Sequence, residues 1–277
     1  MRFLRCFARI ITFVLCFGMV LGGCSGGDSV SVSSDEVDGD SSIDTNILFS
    51  DDFEGTELNL KNWQRCPEWA RQGKSFWKDE LSYLDGEGHL VLEMKWNEET
   101  GLVDCGAVRT HRLFEAGYGY YEASIKFPVA EGTWGAFWMM VGNVSSEKNG
   151  AVDGIEIDIV ESIRNEQGIW NHAMHWDGYG EAHKSYSPKS MLDINIYDGE
   201  FHTFGLLRSE EYYVFYVDGQ VSSIVSKFEG CDICPEDGYM KLTCEAAEWA
   251  GAGTEASINS LPAKMLVDYV RVYKEKP

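Results

Sequence analysis

The sequence predicts an all-β domain built as a sandwich of two antiparallel sheets, and three observations carry that prediction. Several short segments alternate apolar and polar residues with period two, the signature of strands with one buried face. Turn residues separate those segments at short intervals. Beyond the first 24 residues, no window of twelve or more keeps a 3.6-residue apolar period, and no internal repeat is present.

The strands follow in order. Leu90, Leu92, Met94 and Trp96 alternate with Val91, Glu93 and Lys95, and Tyr121, Ala123, Ile125 and Phe127 alternate with Glu122, Ser124 and Lys126. Trp134 and Trp138, four apart, share a face of the next expected strand. Residues 154–161 read Gly-Ile-Glu-Ile-Asp-Ile-Val-Glu. Residues 212–217 and 221–225 flank Asp218-Gly219, a hairpin turn sequence. In the last strand Asp268 falls on the face of Leu266, Val270 and Val272, so a charge is aimed at an apolar layer and needs a partner.

The N-terminal residues are not fold. In residues 1–23, Arg2, Arg5 and Arg9 precede an apolar stretch, a targeting pattern. Leu21-Gly22-Gly23-Cys24 resembles the lipobox of bacterial lipoproteins, which implies cleavage and lipidation at Cys24, with a plain secretory peptide as the alternative. Residues 24–46 join that cysteine to an acidic Ser, Gly and Asp tether that lacks the apolar residues to order itself. An acidic tract in this position also resembles surface-export signals of Gram-negative lipoproteins. The expected location is the cell envelope, with the chain anchored by lipid to the outer membrane or cell surface. Residues 47–277 remain as one β domain, expected to act as a monomer.

Charge and cysteine usage narrow the partners. The formal charge is −22, and loss of the three leader arginines leaves 20 Lys and Arg against 45 Asp and Glu, or −25. Such a surface repels nucleic acid and argues against heavily sulfated polysaccharide, unless a local basic cluster exists. Cys6 and Cys16 leave with the leader, so five cysteines besides Cys24 remain and at least one thiol is expected free. Cys231-Asp232-Ile233-Cys234 lacks a second ligand pair, so it reads as a local disulfide or buried thiols rather than zinc. A Cys66 to Cys105 bridge stays open.

The octet at 154–161 carries the chemistry. Ile155, Ile157 and Ile159 point to one face, and Glu156 and Asp158 to the other. Glu161 lies an odd five residues after Glu156, so a regular strand would bury it among aliphatics, at a cost of several kcal/mol. One β-bulge near Ile159-Val160 returns it to the acidic face. Mutual repulsion then raises the pKa of at least one carboxyl, and glycoside hydrolysis needs one carboxylate ionised and one carboxyl protonated. A half-solvated strand shows the same alternation, so the flanking residues weigh in the balance. The chain as a whole also holds nine Trp and thirteen Tyr, more than a core of this size demands, and aromatic rings stack on sugar faces.

The neighbours of the octet are Gly132-Thr133-Trp134-Gly135-Ala136-Phe137-Trp138-Met139-Met140 upstream and His172-Ala173-Met174-His175-Trp176-Asp177 downstream. With Phe49-Ser50-Asp51-Asp52-Phe53, Gly117 to Ala123 and Val267 to Tyr273, they resemble glycoside hydrolase family 16 in its bulged, laminarinase-like E-x-D-x-x-E form, over residues 47 to 274. The resemblance implies a jelly roll of two curved sheets with a concave substrate cleft, and an endo-acting, retaining hydrolase. In it Glu156 is the nucleophile, Glu161 the acid/base, and Asp158 steers the nucleophile. It also implies that Trp134, Trp138 and Trp249 wall the subsites, that His175 holds a carboxylate, and that Arg109 borders the glycone side. It implies no cofactor for catalysis. A structural calcium at Asp52 and Asp268 is implied, with a hydrogen-bonded Asp268 as the alternative. The expected partner is a β-linked polysaccharide, first a β-1,3-glucan or mixed-linkage glucan. Agar-type or mucin galactans are the alternative, and a surface glycan-binding jelly roll without catalysis is the rival from another class. Loops around Lys148-Asn149-Gly150 and Tyr179 to Lys184 are expected to decide among substrates.

Overall fold

Seventeen strands, one five-residue α-helix and two short 3₁₀ helices (Asp79–Leu81 and Glu248–Ala250) make up the regular structure of the computed structural model, which describes residues 46–165 and 168–277. The leader, Cys24 and the tether through residue 45 lie outside the described residues. The strands are β1 (Ile47–Asp51), β2 (Gln64–Arg65), β3 (Ser75–Trp77), β4 (Ser82–Leu84), β5 (Leu90–Asn97), β6 (Leu102–Cys105), β7 (Ala107–Arg109), β8 (Gly119–Lys126) and β9 (Thr133–Gly142). They continue with β10 (Gly154–Ile163), β11 (Ile169–Trp176), β12 (Lys184–Tyr186), β13 (His202–Arg208), β14 (Tyr212–Val217), β15 (Gln220–Ser226), β16 (Gly238–Ala246) and β17 (Ala263–Tyr273). Helix α1 spans Glu255–Asn259.

Two sheets result. One runs β15-β14-β13-β8-β17-β5-β6-β3, with β1 beside β17 and β4 beside β5. The other, which carries the site, runs β12-β11-β10-β9-β16-β7-β2. Alternation decides its two faces. Phe137, Met139 and Val141 of β9 and Ile155 and Ile157 of β10 are fully buried in the shared core, which leaves Trp134, Trp138, Glu156 and Asp158 on the opposite face. Gly135 permits close sheet packing, since a Cβ there would lie 2.9 Å from the Phe127 ring. The hairpin forms as its sequence predicts, with Asp218 at φ 49° and Gly219 at φ 70°, the paired positive values of a type I′ turn.

The predicted bulge is present in β10. Asp158 and Val160 stand opposite the consecutive residues Trp138 and Phe137 of β9, and Ile159 has no partner in either ladder. Ile159 and Val160 both enter the core, and Glu161 returns to the side of Glu156. The carbonyl of Ile159 is not left bare. His172 Nδ1 donates to it at 2.6 Å, while Ser222 Oγ lies 2.8 Å from His172 Nε2 and Phe215 stacks on the ring. Burial pushes the His172 pKa down to about 4, so the ring is neutral and holds the bulge from behind.

A second bulge corrects an expectation. In β17, Val267 and Tyr269 pair with consecutive residues of β8, which makes Asp268 the surplus residue. The core-facing set is Ala263, Met265, Val267, Val270 and Val272, so Asp268 leaves the apolar face on which unbroken alternation put it. The five cysteines from Cys66 to Cys244 are all buried and unpaired, which resolves the open choice in favour of buried thiols. Burial pushes the Cys66 thiol up to about 11 and the Cys231 thiol up to about 12, far from reactive thiolates.

Candidate active site

A cavity of about 780 Å³ opens on the outer face of the seven-stranded sheet. β9 supplies Trp134 and Trp138, β10 supplies Glu156, Asp158 and Glu161, β11 supplies His175, and β16 supplies Lys241 and Glu245. Each follows from strand parity, with the bulge correcting Glu161. The three acids therefore share one wall.

Their surroundings differ. Glu161 accepts from Trp134 Nε1 at 3.0 Å and from Asn171 Nδ2 at 2.8 Å. Burial pushes its pKa up, while Asn171, His175 and Trp134 pull it back. The Asn171 amide can turn its nitrogen toward an ionised Glu161 or its oxygen toward a protonated one, so it suits both states. Glu156 accepts on Oε2 from the Tyr179 hydroxyl. Burial raises the Glu156 pKa, and the Tyr179 bond and the Lys241 charge hold it down. Asp158, 5% exposed, is pushed well above the usual carboxylate range by burial and then by Glu156 and Glu161. Its Oδ2 has no hydrogen-bond partner, and His175 Nε2 lies 3.5 Å away. One wall thus carries two glutamates in polar contact and a central aspartate that favours its proton.

Cations sit beside them. Lys241 Nζ lies 3.6 Å from the centroid of the Trp138 ring, and burial pushes its pKa down to about 8. Arg71 Nε pairs with Glu245 Oε1 at 2.9 Å. The structure thus brings together six expected cleft residues besides Asp158: Glu156, Glu161, Trp134, Trp138, His175 and Trp249. Trp249, 55% exposed, meets the Trp134 ring edge-on at 4.9 Å. Trp63 is core, and Trp96 packs against the core.

Arg109 is not among the cavity residues. It stands on β7 opposite Lys241, three strands out from β10, and its Nε donates to Gln64 Oε1 at 3.3 Å. The calcium pair does not fit either. Asp52 Oδ1 accepts from Arg271 Nη2 at 2.7 Å, and the neighbouring Asp51 carboxylate takes donors from Phe53, Asn62 and Trp63. Calcium wants six or more oxygens, and a guanidinium on one intended ligand repels a dication. With Asp268 turned off the apolar face as well, no chemistry is routed through a metal there.

Sequence reasoning missed Arg71, Lys241, Glu245, Asn171 and His183 as individual site residues. Lys241, Thr243 and Glu245 alternate on β16, and Asn171 is four residues from His175 on β11, so parity contained a signal for these. Arg71 and His183 lie outside the strands, where periodicity says nothing.

A jelly roll whose outer sheet carries two glutamates flanking an aspartate, walled by tryptophans, defines the class of glycan-cleaving β-sandwich domains. The chain belongs to glycoside hydrolase family 16: the family described as Beta-porphyranase A-D, GH16 domain, matches residues 44–275. It is 28% identical to a keratan-sulfate endo-1,4-beta-galactosidase of Sphingobacterium multivorum over 246 residues, 83% of this chain and 56% of that protein. It is 22% identical to glucan endo-1,3-beta-glucosidase A1 of Niallia circulans over 265 residues, 83% of this chain and 38% of that protein. The chain thus spans about half or less of these relatives. Among solved structures, the endo-beta-1,3-glucanase of Pyrococcus furiosus superposes with a TM-score of 0.64 at 26% identity, covering 84% of this chain and 96% of that one.

Proposed function

We propose that the chain is an endo-acting, retaining glycoside hydrolase of β-linked polysaccharide, with β-1,3-glucan or mixed-linkage β-1,3/1,4-glucan as the first substrate class. The observation that carries this reading is the β10 bulge, which brings Glu161 to the cavity wall of Glu156. Glu156, held toward its ionised form by Tyr179 and Lys241, attacks the anomeric carbon. Glu161 gives its proton to the leaving oxygen, and its carboxylate then takes one from the water that releases the sugar. Asp158 keeps its own proton and orients Glu156. Trp134 and Trp249 offer ring surface to successive sugars, Trp138 lines the wall beneath Lys241, and a cleft open on a sheet face suits internal cleavage.

A second reading, an endo-β-galactanase, is favoured by the porphyranase-type family match and by the galactosidase relative. Arg71 and Lys241 supply a basic spot inside an otherwise acidic molecule, the kind of local cluster an anionic galactan would need. Reducing-end release from laminarin, barley glucan, lichenan, agarose and mucin glycans separates the two. Glu156→Ala and Glu161→Ala each abolish release while leaving the melting temperature of a folded domain. Substantial residual turnover in either contradicts the assignment, and binding without release in the parent favours the non-catalytic jelly roll.

We propose that lipidation at Cys24 holds the domain, as a monomer, at the outer membrane or cell surface. Its basis is the sequence Leu21-Gly22-Gly23-Cys24 and the acidic tether after it. Cys24→Ser is expected to move the protein from the membrane to the soluble fraction of the producing cells.

A further inference from the structure

His183 is an exposed histidine that the proposed chemistry does not use, yet it is tied to the buried centre of the site. Its Nε2 lies 3.0 Å from His175 Nδ1, and the two rings are tilted by only 7° with centroids 5.2 Å apart. Atoms of two face-stacked rings do not approach to 3.0 Å, so these rings lie edge to edge in one plane along an N–H···N hydrogen bond. The other nitrogen of His175, Nε2, faces Asp158 Oδ2 at 3.5 Å, and that oxygen is buried with no hydrogen-bond partner.

A neutral imidazole carries one N–H, and the partner of one nitrogen decides the state of the other. With Asp158 ionised, the favourable arrangement has His183 Nε2–H donating to His175 Nδ1 and His175 Nε2–H aimed at Asp158 Oδ2. With Asp158 protonated, its O–H faces a bare His175 Nε2, and His175 Nδ1–H donates to His183 Nε2. The two arrangements interconvert with a change of tautomer but no change of charge at His175. The Asp158 proton passes to His175 Nε2, the His175 Nδ1 proton passes to His183 Nε2, and the His183 Nδ1 proton leaves to water.

We propose that His183 is a positioning residue: through His175 it supplies the missing partner of Asp158 Oδ2 and links the proton of that buried carboxyl to solvent. The other groups around this line are named by the structure. The Tyr179 ring lies 6.0 Å from His183, the His183 side chain acts by charge on Glu156, and Glu161 acts by charge on His175. Lys241 acts on Asp158 from β16. Lys184, next in sequence, is turned away to Asp177 at 3.1 Å, and Ser185 stands opposite His175 in the ladder. None of these reaches both His175 Nδ1 and solvent as His183 does.

The catalytic consequence rests on the proposed hydrolysis, so the test has one arm without substrate. In the full domain with ¹⁵N-labelled histidine, the tautomers of His175 and His183 are expected to change together over one pH interval. In His183→Phe, which keeps a flat ring beside Tyr179, the His175 transition moves and loses its partner. His183→Gln, which retains a donor and an acceptor, restores it in part. In the activity arm, His183→Phe lowers kcat by roughly tenfold with KM little changed and shifts the pH profile, and His183→Gln recovers most of the loss. If His175 titrates identically in the parent and in His183→Phe, the proposal is overturned. A chain that cleaves no polysaccharide but shows the linked tautomers overturns the hydrolase reading and leaves the link standing.

Discussion

Tyr179 makes the sharpest claim at the scale of a single residue. The residue is 57% exposed, yet its hydroxyl donates to the proposed nucleophile. A hydrogen bond to the charged form favours that form, so its removal lets burial raise the Glu156 pKa further. Tyr179→Phe is therefore expected to move the acid limb of the pH profile of kcat/KM to higher pH and to lower kcat/KM by roughly tenfold or more. An unshifted limb would show that the hydroxyl does not control the nucleophile. Tyr179 was legible only as the start of a loop expected to govern substrate choice. Its contact with Glu156 arises from a turn, with Asp177 at φ 59° and Gly178 at φ 77°, and strand parity has no voice there.

At the scale of the element, the β10 bulge was legible because the acids themselves disagree in parity, and only an extra residue reconciles them. The β17 bulge was not. Leu266 and Val267 are both apolar, so either register leaves a plausible buried face and the sequence shows no conflict at Asp268. Arg109 failed for another reason: its local motif fixes a strand, but nothing local counts the strands between it and β10. The support behind the β10 bulge is testable through His172, which is fully buried and never meets the cleft. His172→Ala leaves the Ile159 carbonyl without its donor, so the domain is expected to lose about 2 kcal/mol in a urea melt, and activity should fall with it. Deletion of Val160 goes further: it sets Glu161 an even four residues after Glu156, so an unbroken ladder keeps both on the cleft face and the variant is expected to stay active without the bulge; a folded but inactive deletion variant would show that the bulge does more than correct parity.

For the whole molecule, the site imposes a pH dependence on stability. Glu156, Asp158 and Glu161 all have pKa values raised chiefly by burial. Such carboxyls bind more protons folded than unfolded, so their contribution to stability is greatest below the unfolded pKa values and is lost as pH rises through the folded ones. Asp158→Asn is therefore expected to melt above the parent at pH 8, with the gap closing toward pH 4. Equal melting curves at both pH values would mean that Asp158 is not protonated as its burial implies. The two-sheet architecture was legible from period-two alternation and turn spacing, whereas parity gave the face of Lys241 but not the pairing of β16 with β9 that brings it to the site, and Arg71 reaches Glu245 from outside the strands. The central claim is that Glu156 and Glu161 perform a double displacement from one wall. Its most direct test is ¹H NMR of the first reducing ends released from whichever polysaccharide the domain cleaves. The account predicts β-anomers that appear first and mutarotate later, and initial α-anomers, or no release from any of the five polymers, would contradict it.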